Sequence, residues 1–183
     1  MSIAITIAAV IVVAIVAVLL YASTKPDSFH VERSVLIQAA PEAIYPLIND
    51  LHQWDAWTPY NKDPAMTKTH SGSPAGVGAR YAWEGNKNVG QGEISIREAQ
   101  PPHKLVFDLH MIKPFEGRNV AAFTLEPQSG GNTTTTRVTW SLDDKHKLLH
   151  KTMSIFLNLD NMIGKDFAQG LVQLKTLVET TKA

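Results

Sequence analysis

Between Phe29 and Leu142 the apolar residues of this chain recur at every second position, and from Leu159 they recur at every third or fourth. Few folds accommodate both patterns in that order. A period of two marks strands with one buried face, and a period near 3.6 marks an amphipathic helix. In the first strand, Phe29 to Gln38, one face carries Phe29, Val31, Val35 and Ile37, interrupted by Arg33. Pro41 then opens a helix at its favoured first position, with Ile44, Leu47, Ile48 and Leu51 at helical spacing. Pro46 lies inside it and predicts a kink or a break. Trp54 and Trp57 follow, and Pro59 ends the segment.

Five further segments read as strands: Gly78 to Glu84, Val89 to Arg97, Lys104 to Ile112, Gly117 to Leu125 and Thr133 to Leu142. Residues 85–88 and 129–132 read as turns, and Pro101-Pro102 breaks the chain. The inward sets are rich in large aromatics: Tyr81, Trp83, Phe107, Phe123 and Trp140. Gly90 and Gly92 fall on the same face, where missing side chains permit curvature or leave space. Clean alternation implies one wet face and one buried face, hence an antiparallel sheet. The C-terminal stripe of Leu159, Met162, Ile163, Phe167, Gly170, Leu171, Leu174, Leu177 and Val178 is the matching cover. The fold class expected is α+β, a curved antiparallel sheet of about six or seven strands wrapped around a long C-terminal helix.

The N-terminus is different in kind. From Ser2 to Thr24 there is no charged residue, and Ile3 to Ala22 is almost wholly Ile, Val, Ala and Leu. About 20 apolar residues in a helix span roughly the 30 Å of a bilayer's hydrocarbon core. A cleaved signal peptide fits less well, because no Lys or Arg precedes the run, the run is long and no A-x-A-like site follows. The domain organisation expected is therefore a transmembrane anchor over 1–24, a linker over 25–28 and one folded domain over 29–183. Lys25 and Arg33 flank the C-terminal side of the run, which places the expected single-pass protein's domain on the cytoplasmic side.

Composition removes several function classes. Lys plus Arg number 17 and Asp plus Glu number 17, and the two signs alternate along most of the chain, so no nucleic-acid partner is expected. The absence of cysteine excludes disulfides, thiolate zinc sites and cysteine nucleophiles. Gly76-Val-Gly78 and Gly90-Gln-Gly92 lack the strand-to-helix setting and the Lys-Ser/Thr of phosphate loops. His146 and His150 are four apart, but Lys145, Lys147 and Lys151 surround them and no third ligand is apparent, so no metal site is expected. Glu84, Asp108, His110 and Glu116 are the acid–base candidates. The alternation puts Glu84, Asp108 and His110 on the outer face, away from the burial that tunes catalytic groups. No catalytic residue and no cofactor is assigned.

The order of elements and a set of motifs resemble the SRPBCC superfamily, the helix-grip fold of START-like lipid-transfer domains, plant allergen-like binders and polyketide cyclases. The carrying residues are the opening Phe29-His-Val-Glu-Arg-Ser-Val-Leu-Ile with Ala40-Pro41-Glu42, then Trp54-Asp-Ala-Trp57 and Gly76-Val-Gly78. Tyr81-Ala-Trp-Glu-Gly-Asn86 with Val89-Gly-Gln-Gly92, Lys113-Pro-Phe115, Val138-Thr-Trp140 and Met162-Ile-Gly-Lys-Asp-Phe167 complete the set. The nearest resemblance is to bacterial proteins of the polyketide cyclase/dehydrase and lipid transport type, many with an N-terminal membrane helix. It implies a cavity between sheet and C-terminal helix that takes a hydrophobic small molecule or lipid. The ligand-binding residues it implies are Trp54, Trp57, Tyr81, Trp83, Phe107, Phe115, Phe123, Trp140 and Phe167. The superfamily also hosts enzymes and stress proteins, so a cyclase or dehydratase activity and a protein-interaction role stand as alternatives.

Overall fold

The computed structural model describes residues 3–24, 28–128, 134–145 and 159–181. After helix α1 (Ile3–Ser23) come strand β1 (Ser28–Ile37), helix α2 (Pro41–Asn49) and a 3-10 helix (Leu51–Ala56). Six strands follow: β2 (Thr67–Gly72), β3 (Ala79–Glu84), β4 (Gln91–Gln100), β5 (Lys104–Lys113), β6 (Gly117–Gln128) and β7 (Thr135–Lys145). Helix α3 (Leu159–Thr180) closes the chain.

The seven strands form one sheet in the order β1-β7-β6-β5-β4-β3-β2, every neighbouring pair antiparallel. The expected α+β helix-grip architecture is the one observed. β2 was not expected, because Thr67-Lys-Thr-His-Ser-Gly72 contains no apolar alternation. It is an edge strand that pairs only with β3, so it needs no apolar face to hold its place. A register shift between Ile96 and Glu98 leaves Arg97 unpaired against β5. The extra residue changes the phase of the strand, so that Ile94 and Ile96 but then Ala99 pack on the core.

The break expected at Pro46 does not occur there: α2 runs through Pro46 to Asn49, and the chain then tightens into the 3-10 turn. The last carbonyls of a helix lack intrahelical donors. Here tryptophans supply two of them. Trp54 Nε1 donates to the Ile48 carbonyl at 2.9 Å, and Trp57 Nε1 donates to the Leu47 carbonyl at 3.0 Å.

The core lies between the concave sheet face, α2 and α3. Phe107, Phe123, Leu105, Ile37, Ile44 and Leu174 are fully buried in it. Trp54 packs edge-on against Phe107 at 5.4 Å, and Trp140 stacks on Phe123 at 4.8 Å and on Phe167 of α3 at 4.1 Å. α3 is further fastened to β1. Arg33 binds the Asp160 carboxylate at 3.1 Å, Lys175 Nζ donates to the Leu36 carbonyl at 2.7 Å, and Glu179 accepts the Gln38 N–H at 2.8 Å. This explains the blemish in the first strand, where Arg33 breaks the alternation to reach α3.

The single-pass membrane placement is corrected. α1 is apolar on every side and makes no substantial packing contact with the sheet or with α3. Among the described residues, however, no helix is long and apolar enough to cross a membrane. The expected transmembrane anchor and the cytoplasmic-side placement of the domain are therefore not supported.

Candidate functional site

A cavity of about 760 Å³ lies between the concave sheet face, the first turns of α3 and the segment 57–66 that connects the 3-10 helix to β2. Its floor is strand side chains at alternate positions: Tyr81 and Trp83 of β3, Ile94 of β4, Leu109 and Met111 of β5, Ala121 of β6 and Trp140 and Leu142 of β7. Met162, Ile163 and Phe167 of α3 form the opposite wall, and Trp54 and Met66 close one side. The two-residue period of the sheet and the 3.6-residue period of α3 aim these groups at one space.

Five of the nine aromatic residues implied as ligand contacts line this cavity: Trp54, Tyr81, Trp83, Trp140 and Phe167. Trp57, Phe107 and Phe123 do not; they are packed into the core beneath it, each at most 1% exposed. Phe115 does not either. It stands between β5 and β6 and is 55% exposed. Alternation assigns a side chain to a face, but it does not say how far along that face solid packing ends and space begins. The expected gap at Gly92 is occupied, for the Trp83 ring lies directly over that glycine and any Cβ there would collide with it. Trp83 is pinned in this position by its Nε1, which donates to the Val89 carbonyl at 3.1 Å.

The polar lining was missed by sequence reasoning. It comes mostly from segment 57–66 and α3, where no period singles it out: Thr58, Tyr60, Asn61 and Lys62, with Asn161 and Asp166. The segment is held as a strap across the cavity. Lys62 Nζ bonds both Asp166 carboxylate oxygens, at 2.9 and 3.0 Å. Lys68 Nζ bonds Asp55 at 2.6 Å and the Asn61 side-chain carbonyl at 2.8 Å. Asp63 accepts the Asn86 N–H of the β3–β4 turn at 2.8 Å. The two carboxylates bordering the cavity are thus both ion-paired.

Two phenols face the same space. Burial, and then the neighbouring Asp55 carboxylate, push Tyr81 up to about 12. Tyr60 is raised too, first by burial and then by Asp166. The residue as a whole is 38% exposed.

The acid–base candidates lie elsewhere. Glu84 pairs with Lys113 at 3.0 Å, Asp108 with Arg97 at 2.9 Å and Glu116 with His110 at 3.3 Å; the three carboxylates are exposed and His110 is partly buried. None of the four lines the cavity. Among the described residues no group of three or more His, Asp or Glu is placed to hold a metal ion. His146 and His150 lie outside the described residues.

Comparison with known proteins agrees with this architecture. A protein from Thermobifida fusca superposes with a TM-score of 0.59 at 22% identity, covering 81% of this chain and 92% of that one. A Mesorhizobium loti protein does so at 0.57 and 18% identity, covering 84% and 98%. The Aha1 dimer from Colwellia psychrerythraea does so at 0.55 and 19% identity, covering 85% and 99%. At these identities the likeness is one of fold alone. Among curated proteins none matches the chain. The family described as polyketide cyclase/dehydrase and lipid transport matches residues 28–179, the whole sheet and nearly all of α3, and the chain belongs to it.

Proposed function

We propose that the domain binds a largely apolar small molecule or lipid in the cavity between sheet, strap and α3. The observation that carries this reading is the cavity itself. Three large aromatic rings fill the core beneath it, yet about 760 Å³ stays open, walled chiefly by apolar and aromatic side chains. Small-molecule sites run from about 300 to 1,000 Å³ with this kind of lining. Native interiors otherwise close to near-crystalline density, so a space of this size is not a packing remainder.

Binding is favoured over catalysis by the charges. Asp55 and Asp166, the carboxylates at the cavity, are each held by a lysine, and the exposed candidates point away from it. The ligand's affinity would come from buried apolar area, with the aromatic rings contributing most per residue.

Filling the space tests this. Leu109 is half-buried and lines the cavity, so Leu109→Trp has room to extend into it. The expected outcome is a folded protein that loses co-purifying lipid in native mass spectrometry and no longer binds an environment-sensitive apolar dye. A wild-type protein that carries no guest and takes up no dye overturns the reading.

A further inference from the structure

Glycine in a strand paired on both sides is a costly choice, since it loses more chain entropy on folding than any other residue and has no side chain to pack. β4 carries one at Gly92, which is buried and sits between Trp83 of β3 and Met111 of β5. Its φ lies outside the left-handed region, so the backbone does not call for glycine there as it does at Gly90, where φ is +66°. A side chain calls for it instead. A Cβ on Gly92 would lie 2.5 Å from Cζ2 and 2.7 Å from Cη2 of Trp83, the benzo edge of the indole. The opposite edge of that ring is held by the bond from Nε1 to the Val89 carbonyl, and Tyr81 stacks beside it at 5.8 Å. Trp83 therefore lies across β4 and lines the cavity without filling it. With a side chain at position 92 the ring has to lift off the sheet, and the open space on that side is the cavity.

We propose that Gly92 sets the size of guest this cavity admits, acting through Trp83. Gly92 does not itself line the cavity. It is a positioning residue: it gives the indole a place against β4 and so keeps open the space beside the β3–β4 turn, where Asn88 and Val89 form the lining. The inference rests on the binding reading above and deepens it. The site takes guests whose apolar part is long enough to reach the β3–β4 end, and the seated Trp83 ring fixes the upper limit of that length.

The experiment uses the full chain and a series of 1-alkanols, from hexanol to hexadecanol, that displace an environment-sensitive apolar dye. Affinity in such a series rises about fourfold for each methylene buried and levels off at the length the cavity holds. We expect Gly92→Ala to level off about two methylenes earlier than the wild type, so that the longest alkanols lose roughly tenfold or more relative to hexanol. The double variant Gly92→Ala, Trp83→Ala should regain the lost length, and Trp83→Ala alone should level off later than the wild type. The His110 carbonyl oxygen also lies 2.8 Å from the position of the added Cβ, so Gly92→Ala loses stability in either background. The levelling length and its rescue are readouts that a purely structural role for Gly92 leaves unmoved. α1 is the same in every variant, so alkanol bound along it cancels in the comparison. A levelling length that Trp83→Ala leaves unchanged overturns the proposal, even where Gly92→Ala fails to fold. A Gly92→Ala length equal to the wild type's, or one that the double variant does not restore, overturns it too; in each of these cases the cavity stays a binding site. Displacement of the dye by no alkanol of any length overturns both this proposal and the reading beneath it.

Discussion

Phe123 shows what one residue does in this interior. It is fully buried and touches Trp54, Trp57, Phe107 and Trp140, at centroid distances from 4.8 to 6.3 Å. Its removal leaves a void that four rigid rings cannot close. Phe123→Ala is expected to cost about 3–5 kcal/mol, read as a lower midpoint in urea denaturation. His30 makes a different kind of contribution. It sits opposite Asp143 across the β1–β7 pair, and its Nδ1 lies 2.8 Å from that carboxylate. The hydrogen bond to Asp143 raises its pKa, slight burial opposes this, and Glu32 adds to the rise. A pKa raised on folding means stability that is fully present below the ordinary value of 6.5 and lost as pH climbs through the raised one. His30→Gln should therefore lose more stability at pH 5 than at pH 8, and equal losses at the two pH values would remove the linkage.

Among the elements, the strap is held differently from the sheet. The strands are joined by ladders and a buried core, whereas the residues from 58 to 66 are fastened largely by side-chain pairs at the surface. Lys62 is 42% exposed and Asp166 24%. Partly exposed pairs of this kind contribute little to global stability, about 0.2–1 kcal/mol. Their effect falls instead on local opening. Lys62→Ala is expected to leave the thermal midpoint nearly unchanged and to speed both hydrogen exchange in the strap and release of a bound dye, by about 1.4- to fivefold on that energy scale. An unchanged release rate would mean that guests leave by another route. α3 is the contrasting element. Its apolar stripe, the Arg33–Asp160 pair and the Lys175 and Glu179 contacts to β1 fix it along its length. Gly164 permits the close approach, since the Arg33 guanidinium lies where its Cβ would be.

At the scale of the whole molecule, the sheet, α2 and α3 share one core, and α1 stands outside it. Deleting residues 1–27 is expected to shift the thermal midpoint of the remaining domain by no more than about 2 °C, as for changes remote from any packed contact. A larger loss would show that α1 contributes to the domain's stability. The architecture was legible from residue spacing alone. Six of seven strands, the helix opening at Pro41 and the long closing helix follow from hydrophobic period and proline geometry, which are local properties of the chain. β2 was not legible, because an edge strand held by its backbone ladder needs no apolar pattern. The site was legible only in part. Periodicity aimed Tyr81, Trp83 and Trp140 at the interior, but equally Phe107 and Phe123, and only the packed structure separates cavity wall from core. The strap and its ion pairs join residues about a hundred positions apart, Lys62 with Asp166, and no local pattern encodes such a meeting. What the sequence determined by itself was which faces turn inward, since that depends on each residue and its near neighbours. What the tertiary structure alone decided was where the inward faces fail to meet, because a void belongs to the arrangement of elements and not to any one of them.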